Sequence, residues 1–174
     1  PSAVLEVATR ELADAIGDAC VVSLVDDRRE HLVPTVFHHR DPKGEEVLRE
    51  VYLKASARVG QGLAGEVVVT GKPVRVANLP VDQLRESVRP EYRPYIDQFD
   101  TSSLLIVPLT DGSMTIGTLG LSREAPYSED DEELAIELAS RISLAIGRAG
   151  LAEQVNDSYR LLQTMANNLP AMIG

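Results

Sequence analysis

The chain of 174 residues contains no tryptophan and a single cysteine, Cys20. One thiol excludes an intramolecular disulfide and a multi-cysteine zinc site, and it suits a reducing compartment. Aromatic residues are also scarce, with five Tyr and two Phe, so any segment that concentrates them is informative. No run approaches the roughly 20 apolar residues that span a bilayer, and no charged-then-apolar leader opens the sequence. These absences point to a soluble, cytoplasmic protein with no membrane partner. Positive charge is short as well. Seventeen Lys and Arg face 27 Asp and Glu for a net charge of -10, and no basic run exceeds Arg28-Arg29. Nucleic-acid affinity is drawn from neutralising phosphates, so nucleic acid is excluded as a partner, as are anionic lipid surfaces.

What is present is ordinary globular composition, 44 % hydrophobic and 25 % charged, enough for one domain that buries about 70 % of its unfolded surface. The sequence starts at Pro1 and closes on Leu169-Pro170-Ala171-Met172-Ile173-Gly174, which reads as a piece of a longer polypeptide. Leu5, Ala8, Leu12 and Ala15 recur at helical spacing and predict an amphipathic helix ending at Gly17. Cys20 to Val25 and His31 to His38 read as a β-hairpin. Val47, Leu48, Val51, Tyr52 and Ala55 form the apolar face of a second helix. Residues 60–80 read as a loop, a short helix or strand at Val67–Val69, and a strand at Val74–Val76. Residues 82–99 read as partly helical, interrupted at Pro90 and Pro94. Ser103–Leu109 and Met114–Leu121 form a second hairpin around Asp111-Gly112-Ser113. Neither strand alternates cleanly, so both faces must be covered.

Ser128-Glu129-Asp130-Asp131 is a capping-box variant that starts a long final helix. Leu138, Ile142, Ala145 and Ala149 set its seam, which continues past a break of phase between Ala152 and Val155. This predicts a globular body over residues 1–150, a coiled-coil-like connector helix over 151–168, and a further segment over 169–174. The order of elements gives an α+β domain: a mainly antiparallel sheet, the N- and C-terminal helices on one face, and loops or short helices covering a pocket on the other.

Gly62-Leu63-Ala64-Gly65, Thr70-Gly71-Lys72-Pro73-Val74, Ser103–Leu109, Ile116-Gly117-Thr118-Leu119-Gly120-Leu121 and Tyr127–Asp131, in that order, resemble successive signatures of GAF domains. The closing Asn168–Ile173 is similar to the opening of many PAS domains. The resemblance implies a sensory or regulatory module of a multidomain bacterial signalling protein, a histidine kinase, serine phosphatase or cyclic-di-nucleotide enzyme, with an output domain downstream. It also implies a ligand held between the sheet and the variable segment 82–99.

Gly60-Gln61-Gly62-Leu63-Ala64-Gly65 spells G-x-G-x-x-G, with Asp82 at a spacing that suits a ribose contact. That motif works only between a strand and a helix of a parallel βαβ unit, which the surrounding pattern does not supply, so the glycines read as a structural turn. His38 and His39 are neighbours on one strand, point to opposite faces, and cannot chelate one ion together. No metal site is assigned and no cofactor is named, although some GAF domains bind haem through histidine. Cys20 reads as a small buried hydrophobe. It lacks the context of bilin-attaching cysteines and the multiplicity used by GAF-fold methionine sulfoxide reductases. No catalytic set emerges.

The segment 82–99 gathers three of the seven aromatics beside Arg85, Arg89 and Arg93, and tyrosines combine apolar area with a polar tip. Candidate ligand-lining residues, chosen by region and chemistry, are Phe37, Arg75, Asn78, Tyr92, Tyr95, Ser103 and Thr118. The narrow stripes Leu5/Ala8/Leu12/Ala15 and Leu138/Ile142/Ala145/Ala149 predict a homodimer through a four-helix bundle. The expected function is thus a non-enzymatic sensor of an unidentified small molecule. The competing readings are a pure dimerisation spacer without ligand and a nucleotide-binding enzyme domain using the Gly60–Gly65 loop.

Overall fold

The computed structural model describes residues 2–54, 57–147 and 162. The connector proposed over 151–168, the 169–174 tail and Ala149 lie outside the described residues, Leu162 excepted. In chain order the elements are α1 (Ser2–Ile16), β1 (Ala19–Val25), β2 (His31–His39), α2 (Pro42–Lys54), β3 (Ala57–Arg58), α3 (Gly62–Thr70), β4 (Val74–Val76), α4 (Val81–Ser87), a 3-10 turn at Pro90–Tyr92, α5 (Arg93–Gln98), β5 (Ser103–Asp111), β6 (Met114–Arg123) and a helix over 129–147, here α6. The six strands form one sheet in the order β3-β2-β1-β6-β5-β4, and each neighbouring pair is antiparallel. The two sequence-local hairpins therefore meet in the middle, with β1 against β6.

Side chains alternate across a strand, and here the alternation divides large from small. Cys20, Val22, Leu105, Val107, Leu109, Leu119 and Leu121 point to one face, where they pack with Leu5, Leu12 and Ile16 of α1 and Ala135, Ala139 and Ile142 of α6. The other face is covered by α2, α4 and α5 through Leu48, Leu84, Tyr95 and Ile96.

The apolar stripes of the two end helices are accordingly turned inward. Leu5 (6 %), Leu12 (3 %) and Ile142 (4 %) are almost fully enclosed by this chain itself, and Ala8 and Leu138 lie half-buried against the same cluster. Ala15 is exposed and Ala145 intermediate. This corrects the expectation that the stripes are free to meet symmetry mates: they are this sheet's own cover, because a sheet face of large residues must be buried before any partner arrives.

The start of α6 has the expected reciprocal cap. The Asp131 amide donates to Ser128 Oγ (3.1 Å) and the Ser128 amide donates to Asp131 Oδ2 (2.9 Å). Arg123 at the end of β6 ties the two end helices together. Its guanidinium donates to the Ile16 carbonyl (2.8 Å), the Pro126 carbonyl (2.6 Å) and Asp131 Oδ2 (2.8 Å), and stacks over Tyr127 at 4.1 Å.

Of the two alternatives for Val67–Val69 the helix is the one formed: the segment lies inside α3, which ends at Gly71 in the left-handed conformation (φ 66°) with its amide on the Val67 carbonyl. Pro90 and Pro94 stand in the first turns of the 3-10 helix and α5, where no amide partner is needed, so they begin elements rather than interrupt one.

Candidate functional site

Between the sheet and the α2–α5 layer lies a cavity of about 160 Å³. Its floor follows from register. Ala19, Val21 and Ser23 of β1 stand opposite Ser122, Gly120 and Thr118 of β6, and Leu104 and Ile106 of β5 extend the same rows toward β4. The two central strands thus offer mainly small side chains to this face and large ones to the other. At Gly120 the Val21 side chain leans over the floor; a Cβ there would come within 3.1 Å of a Val21 methyl.

The roof is aromatic. Tyr52 of α2, Tyr92 of the 3-10 turn and Tyr95 of α5 all line the cavity. Tyr52 and Tyr92 meet edge-on at 5.7 Å, and Tyr52 is braced from behind by Phe37 at 5.2 Å. Tyr95 stacks on Phe99 at 5.2 Å, and Phe99 packs on the His39 ring at 4.9 Å. Gln61 to Ala64, at the start of α3, complete the rim. Gly65 lets that start approach β3, since a Cβ would lie 2.6 Å from the Arg58 carbonyl oxygen. The glycine run thus serves close packing at an antiparallel strand pair, without the parallel unit that phosphate cradling requires.

Burial keeps the cavity's phenols protonated. Burial pushes the Tyr92 phenol up to about 12, with Arg89 opposing and Glu91 reinforcing. Burial likewise raises Tyr52 and Tyr95, the latter offset by the hydroxyls of Ser122 and Thr101. All three phenols are therefore hydrogen-bonding groups at neutral pH, not bases. Burial pushes the Cys20 thiol up as well, which removes the thiolate that nucleophilic chemistry needs.

The seven sequence-predicted lining residues divide. Tyr92, Tyr95 and Thr118 line the cavity. Ser103 is buried on the opposite face, its hydroxyl donating to the Glu124 carbonyl at 3.3 Å. Arg75 turns to the α6 side, donating to the Tyr127 carbonyl and to Glu132, both at 3.0 Å. Phe37 lies behind Tyr52, with the Arg49 guanidinium 5.9 Å from its ring. Asn78 is an exposed turn residue at φ 52°. Ser23, Tyr52, Thr101 and Ser122 line the cavity and escaped the reading. The signal for Ser23 and Ser122 was their place in the small-residue rows 19/21/23 and 118/120/122.

His38 and His39 do face opposite ways. His38 lies 3.8 Å from Asp14 and 3.7 Å from Glu45. His39 is buried beside Tyr95 and Phe99, its Nδ1 accepting the Asp41 amide at 2.9 Å. Among the described residues no three His, Cys, Asp or Glu converge on a metal position. No helix among them is long and apolar enough to cross a membrane.

Solved structures with this architecture include the GAF domain of an Acinetobacter phosphoenolpyruvate-protein phosphotransferase (21 % identity, TM-score 0.65, covering 84 % of this chain and 82 % of that one). The second GAF domain of DevS from Mycobacterium smegmatis is similar (16 %, 0.64, 89 % and 99 %). So is the free methionine-R-sulfoxide reductase of Neisseria meningitidis, solved with its substrate (22 %, 0.64, 86 % and 80 %). At these identities the likeness establishes the fold alone. No curated protein matches. The family model of the GAF domain matches residues 1–146, and with the six-stranded antiparallel sheet and its two helical layers it places the chain in a family that supplies sensory domains to signalling proteins: this chain belongs to the GAF domain family.

Proposed function

We propose that this domain is a non-catalytic sensor that takes a small molecule into the cavity and passes the change to an output domain in the same polypeptide. The observation that carries the reading is the space itself. Protein interiors are normally packed to crystal-like density, yet a row of small residues here leaves room beneath three tyrosines, with polar atoms on both floor and roof. The non-catalytic part rests on Cys20, the sole cysteine, which has no second thiol with which to form a redox pair for sulfoxide reduction and whose own thiol is pushed up by burial.

A response has a short path to the end helices. The Thr110 amide of β5 donates to Ser143 Oγ of α6 at 3.1 Å, Arg75 of β4 holds Glu132, and Arg123 of β6 holds α1 and α6 together. A ligand that shifts β5 or β6 would bias the position of α6, provided it binds the two arrangements unequally. Dimerisation remains part of the reading in revised form. With the inner stripes occupied, pairing falls to the outer faces, where Val7 is 55 % and Leu144 61 % exposed.

A thermal-shift screen against uncharged metabolites, nucleotides, haem and bilins tests the proposal. Hits lost in Tyr92→Ala or Tyr95→Ala support sensing. A silent screen on folded protein leaves the spacer reading. NAD binding abolished by Gly62→Val would instead revive the nucleotide reading.

A further inference from the structure

Acidic side chains outnumber basic ones in this chain, 27 to 17, yet among the described residues that line the cavity there is no Asp or Glu, and Arg89 is the one charged side chain. A cation enclosed there would find no counter-ion, and its desolvation would outweigh what contact returns. Donors are present instead. α3 meets the cavity end-on: its N-cap Gln61 and its first residues Gly62, Leu63 and Ala64 border the space, and no later residue of the helix does. The Gln61 amide donates to the Arg58 carbonyl at 3.0 Å and the Gly60 amide to the Gly65 carbonyl at 3.1 Å. No side chain caps the helix, so the amides of Gly62, Leu63 and Ala64 stand at its positive end with no acceptor among the described residues. Gly62 is exposed, and a Cβ on it would meet nothing within 4 Å, which leaves this backbone bare at the mouth.

A second, independent set of donors lies on the floor. Thr118 is 3 % and Ser23 7 % exposed; the two stand opposite each other on β6 and β1, and both line the cavity. Neither hydroxyl has a hydrogen-bond partner among the described residues, and neither oxygen is sealed from the space as the Tyr95 oxygen is. Both sets share one end of the cavity, since β3, which leads into α3, pairs with Leu32 of β2, two residues from the Pro34 that stands opposite Ser23. Elsewhere Leu48, Leu104 and Ile106 make the wall apolar. The volume of about 160 Å³ matches the scale of an engineered apolar cavity of about 150 Å³ that admits benzene, so the body of a ligand is limited to one ring or a short chain.

We propose that the cavity binds a small monocarboxylate, with the carboxylate at the first turn of α3, where the Gly62–Ala64 amides and the Ser23 and Thr118 hydroxyls donate to it, and the apolar body inward against Leu48 and Ile106. This rests on the sensory reading of the same cavity. At the mouth the carboxylate keeps part of its hydration, which lowers the cost that full enclosure would impose, and a helix N-terminus favours negative charge. Benzoate is a compact probe of the class; benzyl alcohol removes the charge, benzylamine reverses it, and toluene removes the polar head.

Calorimetric titration of the intact chain is expected to give saturable benzoate binding, with benzyl alcohol and benzylamine at least about tenfold weaker. In amide-resolved NMR benzoate is expected to shift the signals of Gly62, Leu63 and Ala64, and toluene to leave them in place. Thr118→Val, checked for native circular dichroism, is expected to weaken benzoate about tenfold and to leave toluene unchanged. Ser23→Ala provides the same contrast if the threonine variant misfolds. Benzyl alcohol or benzylamine binding as tightly as benzoate would overturn the proposal, as would benzoate binding that is indifferent to both variants or leaves those amide signals unmoved. An uncharged metabolite emerging from the screen, with benzoate silent, would overturn this inference and leave sensing intact. Silence of every probe and metabolite would overturn both.

Discussion

The two faces of the sheet follow opposite rules. On the helix-covered face Leu105, Val107, Leu109, Leu119 and Leu121 meet α1 and α6 in one continuous cluster. On the cavity face β1 and β6 present Ala19, Ser23, Thr118, Gly120 and Ser122, and space remains. β6 thus supplies stability with its odd-numbered residues and room with its even-numbered ones, and β1 does so with the parity reversed. Stability and sensing are separated by the direction of a side chain, not by position along the chain.

The contrast is broken most severely by Leu119→Ala, which removes a fully buried side chain from the packed face. Denaturant unfolding is expected to show a loss of about 2–5 kcal/mol. Its neighbour Thr118→Ala, facing the cavity, is expected to cost less than half as much, since one side of it already lacks packing partners. Equal losses would mean that the cavity is not a standing feature of the fold.

Gly44→Ala comes next. A Cβ there overlaps the His39 imidazole, which is buried against Tyr95 and Phe99 behind the roof. The expected cost is about 1–3 kcal/mol, partly recovered in Gly44→Ala/His39→Ala, because the smaller side chain vacates the contested space. A double variant no better than the single would locate the strain elsewhere.

His39 also predicts a pH dependence. Burial holds its pKa below the ordinary 6.5, against the pull of Asp18 and Asp41. The unfolded chain therefore binds a proton that the native protein resists, and stability falls as pH drops below about 6.5 toward the depressed native value. His39→Phe is expected to flatten that slope in melting temperatures between pH 7 and pH 5. Asp131 acts at lower pH: the Ser128 amide and Arg123 hold its carboxyl below the usual range, so its contribution is present above about 4 and lost as pH falls through its native pKa.

The smallest expected effect is Ser143→Ala. It removes the partner of the Thr110 amide, at about 1 kcal/mol. Amide exchange is expected to quicken at Thr110 while Thr118 is unaffected; equal change at both would deny a local link between β5 and α6.

The strands, hairpins and capped final helix were legible because hydrophobic period, turn residues and the Ser128–Asp131 cap are local properties. What covers a helix is not local. The Leu5/Leu12 stripe and the Ile142 stripe announce an apolar face, and the same pattern serves a partner helix or the protein's own sheet. The number of large residues on β5 and β6 favours the sheet. The candidate site failed by parity. Ser103 and Thr118 were chosen by region, yet Ser103 shares a face with Leu105 and Val107, whereas Leu104 and Ile106 face the cavity. A shift of one residue moves a side chain through the sheet. Arg75 failed the same way, since its partner in register is Leu105. Tyr92 and Tyr95 were found because scarce aromatics clustered in one segment, and Tyr52 was missed because it read as the apolar face of α2.

A crystal structure of the domain tests the central claim most directly. The account predicts an open space of about 160 Å³ between the β1–β6 floor and the tyrosines Tyr52, Tyr92 and Tyr95, with α1 and α6 seated on the opposite face. A roof closed down onto Ser23, Thr118 and Ser122 would contradict it.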